Sequence, residues 1–157
     1  MGKPIDNLNF WKERIERAKN SNRHHSVYLI DSERWKRIEQ SHRDLMSKLI
    51  TGKVLDAGCG YGRMSEWVED YTGVDFSPDF VETARQLYPD KRFIVGNLKK
   101  LPFKNEEFDW AVCISIKQMV KDNLGEEEWL LMQKELKRVA KKVLILEYSF
   151  HGEHEIL

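Results

Sequence analysis

Val54-Leu55-Asp56-Ala57-Gly58-Cys59-Gly60-Tyr61-Gly62-Arg63 is the stretch on which the fold turns. The apolar run from Lys53 to Leu55, flanked by turn residues, reads as a buried strand. Glycines at 58, 60 and 62 predict a tight turn, and a helical pattern opens near Met64. Alternate glycines let the chain leave a strand sharply and remove the Cβ atoms that would keep a ligand off the backbone. A helix beginning there offers its unpaired N–H groups to whatever occupies the turn. This is a loop built for a nucleotide-like ligand. The dinucleotide fingerprint G-x-G-x-x-G does not fit, because the spacing here is Asp-x-Gly-x-Gly-x-Gly. Asp56 at the strand's end would repel a pyrophosphate. It suits a ligand carrying an ammonium and a sulfonium.

Outward from this loop, strands and helices alternate. Downstream, Tyr71 to Asp75 reads as a second strand ending in a carboxylate, and Ser77-Pro78 caps and opens a helix through Leu87. Phe93-Ile94-Val95 is a third strand, ending at Gly96-Asn97. Phe108 to Ser115 is a fourth, almost continuously apolar as a strand covered on both faces must be. Glu126 to Ala140 is an amphipathic helix with Glu126, Glu127 and Glu128 at its positive end and Lys137, Arg138 and Lys141 at its negative end. Val143 to Phe150 is a fifth strand. Upstream, residues 7–20 place Leu8, Trp11, Ile15 and Ala18 on one helical face. A helix from Asp31 or Ser32 to about Leu49 buries Trp35, Ile38, Leu45, Met46 and Leu49, and Gly52 stops it.

This order predicts an α/β fold, an open and mostly parallel sheet of about five strands with helices on both faces. In such sheets ligands bind beyond the strands' carboxyl ends, where the strand order reverses. Asp56, Asp75, Asn97 and Ser115 all fall at such ends. Val54 to Arg63 resembles the first motif of the class I S-adenosylmethionine-dependent methyltransferases, and Asp75 to Arg85 resembles the second. Gly96-Asn97-Leu98 with Leu101-Pro102-Phe103 is similar to the third region. The resemblance covers residues 53–149 and implies a Rossmann-like fold with S-adenosylmethionine as cofactor. It implies a cofactor site made of Asp56, Ala57, Gly58, Cys59, Gly60, Gly62, Arg63, Asp75, Phe76, Ser77, Asn97, Leu98 and Ser115. Asp75 would accept from the ribose hydroxyls. Asn97 stands where the family has an Asp that takes the adenine amino group; its amide oxygen can still accept, although an Asn after Gly is also an ordinary turn residue.

The acceptor is less legible. The Asn/Asp-Pro-Pro-Tyr/Phe signature of exocyclic-amine methylation is absent after strand four, where the chain reads Ser115-Ile-Lys-Gln-Met-Val120. The His that many small-molecule members carry at the position of Met119 is also missing. Candidate bases are His24, His25 and Tyr28, in a segment expected to fold over the cofactor as a lid; a solvated His pair and a packed Tyr is the plainer alternative. His151 and His154 read as a polar terminus, and no metal-ligand spacing occurs.

Formal net charge is zero, which gives no general pull toward nucleic acid or membrane. Residues 1–50 carry 11 Lys and Arg against 7 Asp and Glu, and the remainder 15 against 19. Two cysteines offer no disulfide framework, no apolar run approaches the ~20 residues of a membrane span, and the N-terminus is not a signal peptide. We expect a cytoplasmic protein of one domain, with residues 1–50 as an N-terminal helical lid and 51–150 as the cofactor-binding core. The function expected is methyl transfer to a small-molecule acceptor; a nucleic-acid methyltransferase or a non-catalytic S-adenosylmethionine-binding subunit are the alternatives. Members of this fold usually add two strands after the fifth. With Leu157 so close behind, a short form lacking that hairpin is expected, with strand five as an open edge that either the N-terminal helices or, as favoured here, a second copy in a homodimer would cover.

Overall fold

The computed structural model describes residues 32–147 and 153–157, together with Glu13 and Glu16, both helical. The elements in chain order are α1 (Ser32–Leu49), β1 (Val54–Ala57), a 3₁₀ turn (Arg63–Glu66), β2 (Tyr71–Asp75), α2 (Pro78–Leu87) and β3 (Arg92–Val95). There follow β4 (Phe108–Ile114), α3 (Lys117–Asn123), α4 (Glu126–Val139), β5 (Ala140–Leu146) and β6 (His154–Ile156). The strands form one sheet in the order β3-β2-β1-β4-β5-β6. All neighbours are parallel except β5 and β6. The order reverses between β1 and β4, the switch point beyond whose carboxyl ends open sheets of this kind bind their ligands.

Both faces of the sheet are covered, which explains the continuous apolar strands. Leu55, Ala57, Ala111, Cys113, Val143 and Ile145 face one side and pack with Val120 of α3 and Trp129, Leu136 and Val139 of α4. Val54, Trp110, Val112, Leu144 and Leu146 face the other and pack with Met46 of α1, Met64, and Val81 and Ala84 of α2. The alternation by one residue is the period-2 rule acting on two buried faces. α2 starts as its sequence predicts: Ser77 Oγ accepts from the Phe80 amide at 3.4 Å and Pro78 occupies the first turn.

Four expectations change. The helix expected near Met64 is only the four-residue 3₁₀ turn, because the chain enters β2 at Tyr71 and leaves no length for an α-helix. The seven-residue α3 was not foreseen. β5 begins at Ala140, with no loop after α4, because Ala140 itself turns extended (φ −131°, ψ 148°). Finally, β5 is not an edge. β6 returns antiparallel along it, pairing Leu144 with Ile156 and Leu146 with His154, and the Val143 and Leu157 amides exchange hydrogen bonds at 3.0 and 2.9 Å. A polar tail can do this because an open edge asks its neighbour only for backbone donors and acceptors. Leu157 then packs on the core and Glu155 pairs with Lys117. The sheet therefore has six strands rather than five, and the homodimer expected along β5 loses its premise.

Candidate functional site

Three strand ends build the crevice. Asp75 closes β2, buried, with Oδ2 accepting from the Gly60 amide and Oδ1 from the Ser77 amide, both at 2.9 Å. Burial pushes its pKa up to about 6, against the backbone donors that lower it. Asp56, on β1, is buried as well, and its Oδ2 accepts from the Tyr71 hydroxyl at 2.7 Å. Burial again pushes its pKa up to about 6, opposed by the Tyr71 hydrogen bond and Arg63 and reinforced by Asp75. Ser115 follows β4 in a left-handed conformation (φ 57°), with its amide donating to Leu146 O at 2.7 Å. Its Oγ is buried and finds no partner among the described residues. A non-glycine residue in this conformation with a buried, unpaired hydroxyl is a feature that calls for an explanation.

The glycine loop has the geometry its sequence asks for. Gly58, Gly60 and Gly62 have φ of 79°, 53° and 76°. A side chain at Gly58 would strike Ile116 and one at Gly62 would strike Phe93, whereas among the described residues nothing lies within 4 Å of a Cβ at Gly60. That open side of Gly60, next to Asp75, is where a ligand can reach the backbone.

The remaining predicted residues divide. Ala57 and Ser77 are buried supports, Phe76 is 44% exposed beside Asp75, and Leu98 is half-buried. Asn97 is exposed and folded into a turn, its Oδ1 accepting from the Lys99 amide at 2.9 Å. Arg63 lays its guanidinium over the Trp67 ring at 5.3 Å. Burial pushes the Cys59 thiol well above its ordinary range, which disfavours the thiolate. His24, His25 and Tyr28, and the segment 17–31 that carries them, lie outside the described residues.

Three residues were missed by sequence reasoning. Tyr71 reaches Asp56 across Gly73, and a glycine inside a strand was the signal available for it. Glu147, directly after β5, is half-buried, accepts from the Gln118 amide at 3.3 Å, and has its pKa raised by burial. His42 of α1 is fully buried, its Nε2 3.2 Å from Glu147 O, and burial followed by Arg63 lowers its pKa to about 4. On a polar-looking helix face nothing flagged it. An open depression of about 600 Å³, lined by Met46, Ile50, Trp67 and Asp70 among others, lies where β1 and β2 begin, away from these carboxylates.

The family described as "Methyltransferase domain" matches residues 55–144. The chain belongs to the class I S-adenosylmethionine-dependent methyltransferases. The match spans β1 to β5, the elements that carry Asp56, Asp75 and Ser115. Among curated methyltransferases, it is 34% identical over 82 residues to malonyl-[acyl-carrier protein] O-methyltransferase of Salmonella typhimurium, covering 47% of this chain and 33% of that protein. It is 30% identical over 121 residues to demethylmenaquinone methyltransferase of Paenarthrobacter aurescens, covering 74% of this chain and 45% of that one. The chain thus spans a third to a half of these relatives. The crystal structure of the PH0226 protein from Pyrococcus horikoshii superposes with a TM-score of 0.63 at 30% identity, over 76% of this chain and 60% of that one.

S-adenosylmethionine is the cofactor of this methyltransferase family, and the residues present fit it. Two buried carboxylates would reject a polyphosphate, but they suit hydroxyls and an ammonium. The open face of Gly60, the orphaned Ser115 Oγ and the exposed Phe76 ring leave room and partners for a ligand with polar and aromatic parts.

Proposed function

We propose that this chain transfers the methyl group of S-adenosylmethionine to a small-molecule acceptor. The observation that carries the reading is that Asp75, Asp56 and the strained Ser115 sit at or beside the carboxyl ends of the adjacent strands β2, β1 and β4, with Asp75 bonded to the glycine loop at Gly60. The bound cofactor supplies a methyl carbon already activated by the sulfonium. Asp75, held by the Gly60 and Ser77 amides, keeps lone pairs for the ribose hydroxyls. Phe76 offers a ring face or edge to the adenine, with Leu98 and Asn97 beside it. Ser115 marks the boundary between cofactor and acceptor. Glu147, directly after β5 and accepting from the Gln118 amide of α3, is the group available to hold the acceptor's proton, and burial raises its pKa above the ordinary carboxylate value. Alignment and exclusion of water do the rest.

A small acceptor is favoured over nucleic acid by the charges around the crevice. Asp56, Asp75 and Glu147 make its floor acidic. The nearby lysines are engaged: Lys99 with Glu128, Lys117 with Glu155 and Lys121 with Glu126. A polyanion needs a free basic face. The relative named for demethylmenaquinone points the same way, whereas a Saccharomyces cerevisiae relative is named for a tRNA acceptor. We read the chain as one domain acting in the cytoplasm, with residues 1–50 as its lid. In support of the lid, the Glu16 carboxylate lies close enough to Tyr61 to help burial raise the phenol pKa to about 12. Among the described residues, no helix is long and apolar enough to cross a membrane.

The test is release of S-adenosylhomocysteine across a panel of small acceptors, run beside salt-dependent RNA and DNA binding. Turnover on a small acceptor without nucleic-acid binding supports the reading. Turnover only on RNA or DNA, with affinity that falls steeply with salt, overturns it.

A further inference from the structure

Gly73 sits inside β2, where a glycine weakens a strand unless something needs its space. It is not in the left-handed region, so its conformation alone does not call for glycine. Its Cα partner across the sheet is Asp56. A Cβ at Gly73 would fall 2.8 Å from the Tyr71 hydroxyl, 2.7 Å from a Phe93 ring carbon and 2.9 Å from Cys59 Sγ. Tyr71 and Gly73 share a face of β2. The hydroxyl therefore occupies the room that a side chain at 73 would take, directly opposite Asp56.

From there it donates to Asp56 Oδ2 at 2.7 Å, and this is the carboxylate's hydrogen bond among the described residues. Oδ1 makes none among the described residues, and Asp56 keeps 4% of its surface exposed. Phe93 braces the Tyr71 ring, with centroids 5.5 Å apart at 62°. Burial and the neighbouring carboxylate hold the phenol protonated, so it remains a donor throughout the working pH range. We propose that Tyr71 is a positioning residue: by occupying Oδ2 it fixes Asp56 with Oδ1 turned to the cationic amino-acid end of S-adenosylmethionine. This rests on reading the crevice as the site of that cofactor.

The groups around Asp56 are the Tyr71 hydroxyl and Asp75 from β2, Arg63 from the 3₁₀ turn, the Cys59 thiol from the loop and the Cys113 thiol from β4. Only Asp56 and Asp75 among them change charge near pH 6. A cation bound at Oδ1 needs the carboxylate ionised, so affinity falls as the pH drops through that region. The Tyr71 hydrogen bond favours the ionised form, and its loss moves the acid limb upward.

The experiment is calorimetric titration with S-adenosylhomocysteine, which carries the same ammonium, from pH 4.5 to 8. In Tyr71→Phe the acid limb should rise by on the order of one pH unit. Gly73→Ala, whose methyl displaces the hydroxyl, should move it the same way. Asp56→Asn should have a shallower limb, and adding Tyr71→Phe to it should shift nothing further. A purely structural Tyr71 would lower stability and leave the midpoint in place, and an unmoved midpoint in Tyr71→Phe and Gly73→Ala overturns the inference. Should those variants not fold, carbon NMR of the Asp56 carboxyl in the wild-type chain decides. Added S-adenosylhomocysteine should lower its titration midpoint, and an unchanged midpoint again refutes the role. A wild-type chain that binds no S-adenosylhomocysteine at any pH removes the cofactor reading itself, and the inference falls with it.

Discussion

Asp75 gathers the glycine loop and the start of α2 with one carboxylate, through the Gly60 and Ser77 amides, and in the proposed reading its remaining lone pairs take the ribose hydroxyls. Asp75→Ala should weaken S-adenosylhomocysteine binding about tenfold or more, on the order of 1–3 kcal/mol, by calorimetry. Its titration has a second consequence. Burial raises its folded pKa above the unfolded value, so its contribution to stability is full below about pH 4 and is lost as the pH rises through about 6. His42 has the opposite sign: held at about 4, it contributes above its unfolded pKa of 6.5 and loses that contribution as the pH falls. Asp75→Asn deletes the first of these contributions. Relative to the wild type it should therefore gain stability between pH 4 and pH 6.5, by on the order of 1–3 kcal/mol in urea denaturation of the free protein. A constant difference between the two proteins would contradict the buried, ionisable state assigned to Asp75. At this scale the sequence was legible where a strand fixed a residue's position, as for Asp56 in β1 and Asp75 at the end of β2. It was silent on His42, Tyr71 and Glu147, because each acts through a partner far along the chain, at Glu147, Asp56 and Gln118 respectively.

The loop from Gly96 to Glu107 carries Asn97 and Leu98, and α4 holds it. Arg138 donates to the carbonyls of Phe103 and Leu101 at 2.8 and 3.1 Å and to Asn105 Oδ1 at 3.0 Å, while Glu135 accepts from the Leu101 amide at 2.7 Å. One arginine thus satisfies several polar groups in a segment without regular structure. Arg138→Met should leave the sheet intact, speed amide exchange across residues 101–105, and weaken S-adenosylhomocysteine binding several-fold. Unaltered exchange in that loop would mean that the apolar anchors Leu101 and Phe103 suffice. Elements were well read where the apolar period was long, as in α1 and α4, or where a cap agreed with it, as in α2. They were misread where tertiary geometry decides. The 3₁₀ turn depends on the short distance to β2, and α3 is too short for its period to stand out.

Across the whole molecule, the sheet order places every predicted strand end on one side, and the covering of β5 by β6 closes the far edge. Composition could not reveal β6, whose three residues are all exposed and pair through their backbone. Deleting residues 153–157 would bare Val143 to Leu146, long and apolar. That variant should lose on the order of 3 kcal/mol of stability from its backbone pairing, or associate through the open edge. A soluble, equally stable monomer in light scattering and urea denaturation would show that β6 contributes nothing. The reading of residues 21–30 as a lid makes its own demand: S-adenosylhomocysteine should slow hydrogen exchange there, and equal exchange with and without ligand would count against it. The central claim is that this crevice takes S-adenosylmethionine rather than another nucleotide-like ligand, and competitive calorimetry on the purified chain tests it most directly. The account predicts saturable binding of S-adenosylmethionine and S-adenosylhomocysteine, with NAD and ATP far weaker. Equal or tighter binding of NAD or ATP would contradict it.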